Sequence, residues 1–193
     1  MTVISVIIGS TRQKRFSEKP ANWILQHLQK REGIEARLLD LRDFPMPFFD
    51  HPVPPGVPGR APYDHEAVQR WTAEIGASDG FIFVTPEYNH GMPAVLKNAI
   101  DWVYSEWRRK PVAFVAYGSV MGARSVQQLR HAAVNLEMVS IRSAVHIPMA
   151  PVLTHSQGGD VGSALAELDV PAKALIDDLL WWTAVLKTAR AGS

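Results

Sequence analysis

Residues 80–102 constrain the fold more than any other stretch. Phe81, Ile82, Phe83 and Val84 form a short, unbroken apolar run. Such a run fits a strand covered on both faces, as in a parallel sheet. Residues 85–92 are polar, carry Gly91 and are punctuated by Pro86 and Pro93, so the chain must turn there. Pro93 stands where a first helical residue tolerates proline. Leu96, Ala99, Ile100 and Val103 follow at helical spacing. Strand, polar loop and helix in that order put the loop at the carboxyl end of a strand, where open α/β sheets bind ligands.

The same alternation runs through the chain. Residues 3–8, 36–40, 111–117 and 144–147 read as the remaining strands. Ala21, Ile24, Leu25 and Leu28 mark the first helix, with Ser17 as its expected N-cap. Val68, Trp71 and Ile75 mark the second, with Asp64 as cap, and Val126, Leu129, Ala133 and Leu136 the fourth. Residues 172–190, striped by Leu175, Leu179, Trp182 and Leu186, read as the last. Strands separated by helices imply parallel pairing through right-handed crossovers. The expected fold class is α/β: a three-layer, doubly wound, five-stranded parallel sheet in the flavodoxin-like order 2-1-3-4-5. Residues 1–193 are expected to form it as a single domain. Residues 45–62 interrupt the pattern with seven of the fourteen prolines. They can form neither a regular helix nor a central strand, and read as a long stiffened loop.

Composition removes several function classes. The net charge is +1, which leaves no electrostatic case for a nucleic-acid partner or an anionic membrane surface. There is no cysteine, so disulfides, thiolate chemistry and cysteine-held iron–sulfur clusters are out. A redox function would need an added organic cofactor. No apolar run is long enough to span a bilayer, and no signal-peptide pattern precedes the first strand; a cytoplasmic location is expected.

In the order 2-1-3-4-5 the loops after strands one, three and four converge on one crevice. The first, residues 9–17, offers the hydroxyls of Ser10, Thr11 and Ser17, the guanidiniums of Arg12 and Arg15, and a helix N-terminus. These together make an anion site. Neither the P-loop pattern nor the Gly-x-Gly-x-x-Gly turn is present.

These residues match a known group. The chain resembles the NADPH-dependent FMN reductases, the flavodoxin-like set that includes quinone, azo-dye and chromate reductases. The match rests on Gly9-Ser10-Thr11-Arg12 with Arg15 and Ser17, and more heavily on Pro86-Glu87-Tyr88-Asn89 running on through Gly91, Pro93 and Leu96 to Trp102. It continues through Lys110-Pro111-Val112 and Gly122-Ala123-Arg124 to Leu129-Arg130. The resemblance implies that Ser10, Thr11, Arg12, Arg15, Phe16 and Ser17 hold the FMN phosphate and its approach. It implies that Pro86, Glu87, Tyr88 and Asn89 line the isoalloxazine edge, and that Tyr117, Gly118 and Ser119 close the other side. NADPH or NADH would be the co-substrate and a quinone, azo compound, chromate or free flavin the acceptor. No catalytic side chain is then needed, because flavin N5 carries the hydride, and no metal is expected. A flavodoxin-like electron carrier and a redox-responsive interaction protein are the alternatives; an isoelectric point near 8.1 disfavours the carrier, whose kind is usually acidic.

Two further readings concern surfaces. Trp102, Tyr104 and Trp107 form a second, aromatic side after the third loop, which points to a subunit contact. The resemblance likewise implies dimers, and a homodimer or homotetramer is expected. Arg108, Arg109 and Lys110 read as cations at a helix C-terminus or, alternatively, as partners of a coenzyme 2′-phosphate.

Overall fold

The computed structural model describes residues 1–192. Its five strands are β1 (Thr2–Ile8), β2 (Ile34–Asp40), β3 (Gly80–Pro86), β4 (Pro111–Tyr117) and β5 (Val139–Ile147). All pairs are parallel, in the order β2-β1-β3-β4-β5. The switch point lies between β1 and β3, as expected. The helices are α1 (Glu18–Gln29), α2 (Glu66–Ala77), α3 (Ala94–Asp101), α4 (Ala123–Asn135), α5 (Met149–Ser156), α6 (Gly162–Ala166) and α7 (Asp169–Ala191).

Side chains of the central strands alternate between two cores, as the pleat requires. Ile7, Phe81, Phe83, Val112 and Phe114 pack against Val68 and Trp71 of α2, Leu96 and Ile100 of α3, and Val126 and Leu129 of α4. Ile4, Val6, Ile82, Val84, Ala113 and Val115 face Ile24 and Leu28 of α1, Leu165 of α6, and Leu175 and Leu179 of α7. Every residue of β3 and β4 is buried, which is why both read as unbroken apolar runs.

Several expectations are corrected. Ser17 is the N-cap of α1 by position, yet its backbone is helical and its side chain makes no cap bond. Asp64 caps nothing; the N-cap of α2 is His65, again without a side-chain bond. β5 starts at Val139, and two extra residues between Ser140 and Ala144 shift its register against β4. α5 and α6 occupy what the prolines and glycines presented as a connection; Pro148 and Pro151 fall at the N-cap and in the first turn of α5, where proline costs no helical bond.

The aromatic side of α3 is not a free face. Residues 45–62 lie over it as an irregular segment. Pro47 O accepts from Asn98 Nδ2 at 2.8 Å and Trp102 Nε1 at 2.9 Å, and Phe49 N–H donates to Asn98 Oδ1 at 2.8 Å. Phe49 and Tyr63 each meet the Trp102 ring edge-on at 5.0 Å. Trp102 and Trp107 are 1% and 0% exposed within the chain itself, and Trp107 packs on Trp71 and Phe81.

The basic run belongs to the opposite edge of the sheet from the loops after β1, β3 and β4, since it precedes β4. Lys110 is buried there, and its ammonium donates to Ile75 O at 2.8 Å and Gly76 O at 3.0 Å, capping α2. The cation does complement a helix C-terminus, but that of α2. Arg108 pairs with Glu137 at 2.9 Å. Burial, aided by Arg190, brings the Lys110 ammonium down from 10.5 to about 8. Between those values the unfolded chain holds the proton and the folded chain does not, so stability rises with pH there. The wild-type minus Lys110→Met difference in unfolding free energy should therefore grow from about pH 8 to pH 10.5, measured by urea denaturation across that range.

Gly122 is a second backbone constraint. It sits at φ +73°, and a Cβ there would lie 2.6 Å from Ala116 Cβ and 2.7 Å from Tyr117 N. Gly122→Ala should cost about 2–4 kcal/mol from left-handed strain plus overlap. Gly33→Ala, also at φ +73° but with open space around it, should lose about 1–2 kcal/mol. Equal midpoint shifts in urea would contradict the steric account.

Candidate active site

The loops after β1, β3 and β4 meet at the carboxyl edge of the sheet. Ser10 Oγ lies 2.8 Å from Tyr88 Oη, joining the first loop to the third. Ser17 Oγ lies 2.6 Å from Tyr117 Oη, joining the start of α1 to the end of β4. That bond is why Ser17 does not cap its own helix. Burial pushes the Tyr117 hydroxyl well above its ordinary value, against the opposing effect of the Ser17 bond. Glu87 N–H donates to Tyr117 O at 2.9 Å, and a Cβ on Gly118 would come within 3.0 Å of Glu87 Cβ. The third and fourth loops are thus in close contact.

The first loop is held from outside. Arg15 is buried, binds Asp40 through both terminal nitrogens, one at 2.8 Å, and also donates to Ser10 O. Burial alone would raise the Asp40 carboxyl, but the Arg15 bonds and the Arg42 N–H hold it below the usual carboxylate range. The Arg42 guanidinium donates to Thr11 O at 3.4 Å, to Arg12 O, and to Glu18 Oε1 at 3.0 Å. Two guanidiniums therefore engage three successive carbonyls, those of Ser10, Thr11 and Arg12. Among the described residues, no acceptor meets the N–H groups of Lys14, Arg15 and Phe16, while that of Ser17 turns to the Tyr117 hydroxyl. Those three donors lie just before α1, whose dipole adds positive potential.

A cleft of about 100 Å³ opens there, lined by Arg12, Arg15, Phe16, Tyr88, Tyr117 and His155, among others. Phe16 meets Tyr117 edge-on at 5.0 Å and His155 at 5.7 Å. Arg12 is exposed, with its guanidinium carbon 5.8 Å from the Tyr88 ring centre.

The other expected residues sit nearby in different ways. Pro86 is buried at the end of β3. The Glu87 carboxylate turns away to accept from Arg124 N at 3.0 Å and Arg124 Nη1 at 2.9 Å, so it caps α4. Asn89 and His90, at φ +48° and +65°, form the tip of a tight hairpin closed by paired Tyr88–Gly91 backbone bonds. Two left-handed residues at the tip are the type I′ pattern. Both tip residues are exposed, as is Ser119 at the rim. Thr11 contributes its carbonyl to Arg42.

Asp40, Arg42 and Glu18 were missed from the sequence, although Asp40 and Arg42 stand at the carboxyl end of β2, on the same edge. Also missed was α5, which brings Val152, His155 and Ser156 to the cleft. Its prolines concealed it.

The sequence profile of the NADPH-dependent FMN reductases matches residues 2–151 of the chain. The chain belongs to that family. An NAD(P)H-dependent FMN reductase of Schizosaccharomyces pombe is 40% identical to the reductase over 135 residues, 70% of this chain and 67% of the relative. A quinone reductase of Pseudomonas putida is 31% identical over 142 residues, 70% of this chain and 71% of the relative. Among solved structures, the flavoenzyme NAD(P)H:(acceptor) oxidoreductase of Paracoccus denitrificans superposes with a TM-score of 0.70. It covers 95% of this chain and 98% of its own at 24% identity, a likeness of fold.

The Ser17–Tyr117 bond is buried and spans the sheet edge. Ser17→Ala and Tyr117→Phe should each destabilise the reductase by about 1 kcal/mol, with a coupling of similar size in the double variant. Strictly additive losses in denaturant titrations would show that the two hydroxyls act independently.

Proposed function

We propose that the reductase holds the FMN phosphate in the cleft before α1 and presents the flavin to NAD(P)H and a small acceptor at the open rim. Membership of the family makes FMN and a nicotinamide coenzyme its redox partners. When bound, FMN supplies the chemistry: a hydride is taken from NAD(P)H and two electrons pass to an acceptor such as a quinone.

The observation that carries the phosphate assignment is the row of unpaired N–H donors from Lys14 to Phe16. A dianion suits donors that no protein acceptor meets, beside a helix N-terminus. Arg12 adds an exposed charge, and Ser10 and Ser17 add hydroxyls. Arg15 and Arg42 act one step removed. By holding the carbonyls of Ser10, Thr11 and Arg12 outward, they keep oxygen lone pairs from facing an anion. A cleft of about 100 Å³ suits a phosphoryl group rather than a tricyclic ring. The ring therefore belongs at the rim formed by residues 86–89 and 117–119. There Tyr88 and the exposed Asn89 and Ser119 would orient it and screen it from water on one side.

The same reading takes residues 1–193 as one FMN-binding domain, because all three loops spring from one sheet. A cytoplasmic setting goes with NAD(P)H as reductant; no helix among the described residues is long and apolar enough to cross a membrane. A homodimer or homotetramer now rests on the family alone, since the chain's own loop covers the α3 aromatics.

The test is direct. Purified protein should be yellow, release FMN on heating, and oxidise NADPH or NADH steadily when benzoquinone is added. An FMN-loaded preparation that oxidises neither coenzyme would refute the oxidoreductase reading. Arg12→Ala should weaken FMN binding by about 1.5–3 kcal/mol, the worth of one charge-assisted bond, with the unfolding midpoint of the apoprotein unchanged. Unaltered affinity in a fluorescence titration would remove Arg12 from the phosphate site.

A further inference from the structure

Beyond the flavin cleft, a second cavity of about 420 Å³ lies between α4 and β5. Its floor is apolar, from Val126 and Ala144, and its walls carry Arg124, Arg130, Arg142 and His146. Three guanidiniums thus face one space. The carboxylate of Glu87 serves the first of them, at 2.9 Å.

The other two cations have no carboxylate partner among the described residues. Arg130 is fixed: it donates to Ser140 Oγ at 3.0 Å, Ile141 O at 2.7 Å and Arg142 O at 2.8 Å, filling the irregularity in β5. Burial lowers its pKa, the direction expected for a cation short of counter-charge. The exposed Arg142 side chain has no hydrogen-bond or ion-pair partner at all among the described residues. His146 Nδ1 lies 2.9 Å from Met121 O, which accepts its proton and leaves Nε2 for another group.

Met121 belongs to the loop after β4, at the rim assigned to the flavin, and Arg124 lies in the first turn of α4. Arg130 stands six residues further, about 9 Å along the helix axis at 1.5 Å per residue. The groove therefore leads away from the rim, over an apolar floor, to cations lacking counter-charge. We propose that it is the subsite for the adenosine 2′-phosphate end of NADPH, with Arg142 the residue that distinguishes NADPH from NADH. The floor suits a flat base and the guanidiniums a phosphomonoester. The inference rests on the oxidoreductase reading above. It also replaces the alternative role of Arg108, Arg109 and Lys110, which stand at the far edge of the sheet.

The probes are adenosine 2′,5′-bisphosphate, adenosine 5′-monophosphate and inorganic phosphate, titrated calorimetrically into the FMN-loaded protein. The bisphosphate should bind at least about tenfold more tightly than the monophosphate, the worth of one charge-assisted hydrogen bond. That advantage should vanish in Arg142→Ala and return in part in Arg142→Lys. In steady state, Arg142→Ala should lower the ratio of kcat/KM for NADPH to that for NADH about tenfold, chiefly through KM. Equal binding of the two adenosine phosphates by the wild type overturns the subsite, as does an advantage that survives Arg142→Ala. Inorganic phosphate binding as tightly as the bisphosphate also overturns it, since the adenosine would then add nothing. The titration needs no turnover, so a failure to oxidise either coenzyme would strike the oxidoreductase reading and leave the binding result to stand on its own.

Discussion

The site depends on one buried ion pair. Arg15 reaches from the first loop to Asp40 at the end of the neighbouring strand, and the same guanidinium takes the Ser10 carbonyl. Removing one partner of a buried pair leaves an uncompensated charge, which is far more damaging than the net worth of the pair implies. Here the damage would also be directional. With Asp40 gone, Arg15 keeps only the Glu18 carboxylate, 3.0 Å from its Nε on α1, and the tie between the loop and β2 is lost. The pair joins β2, the edge strand, to the loop at the switch point. Burial of a charge that could have remained in water thereby becomes a means of aiming backbone N–H groups.

The two edges of the sheet are built differently. At the amino edge, Asp79 accepts from Val3 N–H at 3.0 Å and from Lys187 at 2.6 Å and Arg190 at 3.0 Å, both on α7. Burial works against the Asp79 carboxylate, but those bonds hold its pKa below the ordinary value. Lys110 secures α2 at the same edge. At the carboxyl edge the ion pairs Arg15–Asp40 and Arg124–Glu87 each brace one loop, while the loops meet one another through hydroxyl pairs and backbone contacts, which a ligand's polar groups can exchange with at smaller cost.

Much of this was legible in the sequence because the central strands are buried on both faces. The bounds of β4 coincide with an apolar run set between Lys110 and Gly118, and Val68, Trp71 and Ile75 form the buried stripe of α2. Local patterns failed where a distant partner decided the outcome. Ser17 looked like a cap, but its hydroxyl is taken by Tyr117, one hundred positions away in sequence. The start of β5 was hidden because two extra residues between Ser140 and Ala144 break its register, and edge strands need not be apolar on both sides. The rim that the basic run before β4 occupies follows from the strand order rather than from its local charge. The outward support of the first loop by Arg42 could not be seen, because it depends on how β1 and β2 align.

The proline-rich segment over α3 reverses the usual tolerance of surface loops. Such loops ordinarily accept insertions and deletions. This one supplies a carbonyl to both Asn98 and Trp102, and Phe49 within it and Tyr63 just after it press on the same indole. Its prolines also leave the unfolded chain little freedom to lose. A change in its length would lift the cover from a helix that starts beside the meeting point of the three loops. Lineages that vary this segment would have to redesign the α3 surface with it, so loop and helix are bound to diverge together.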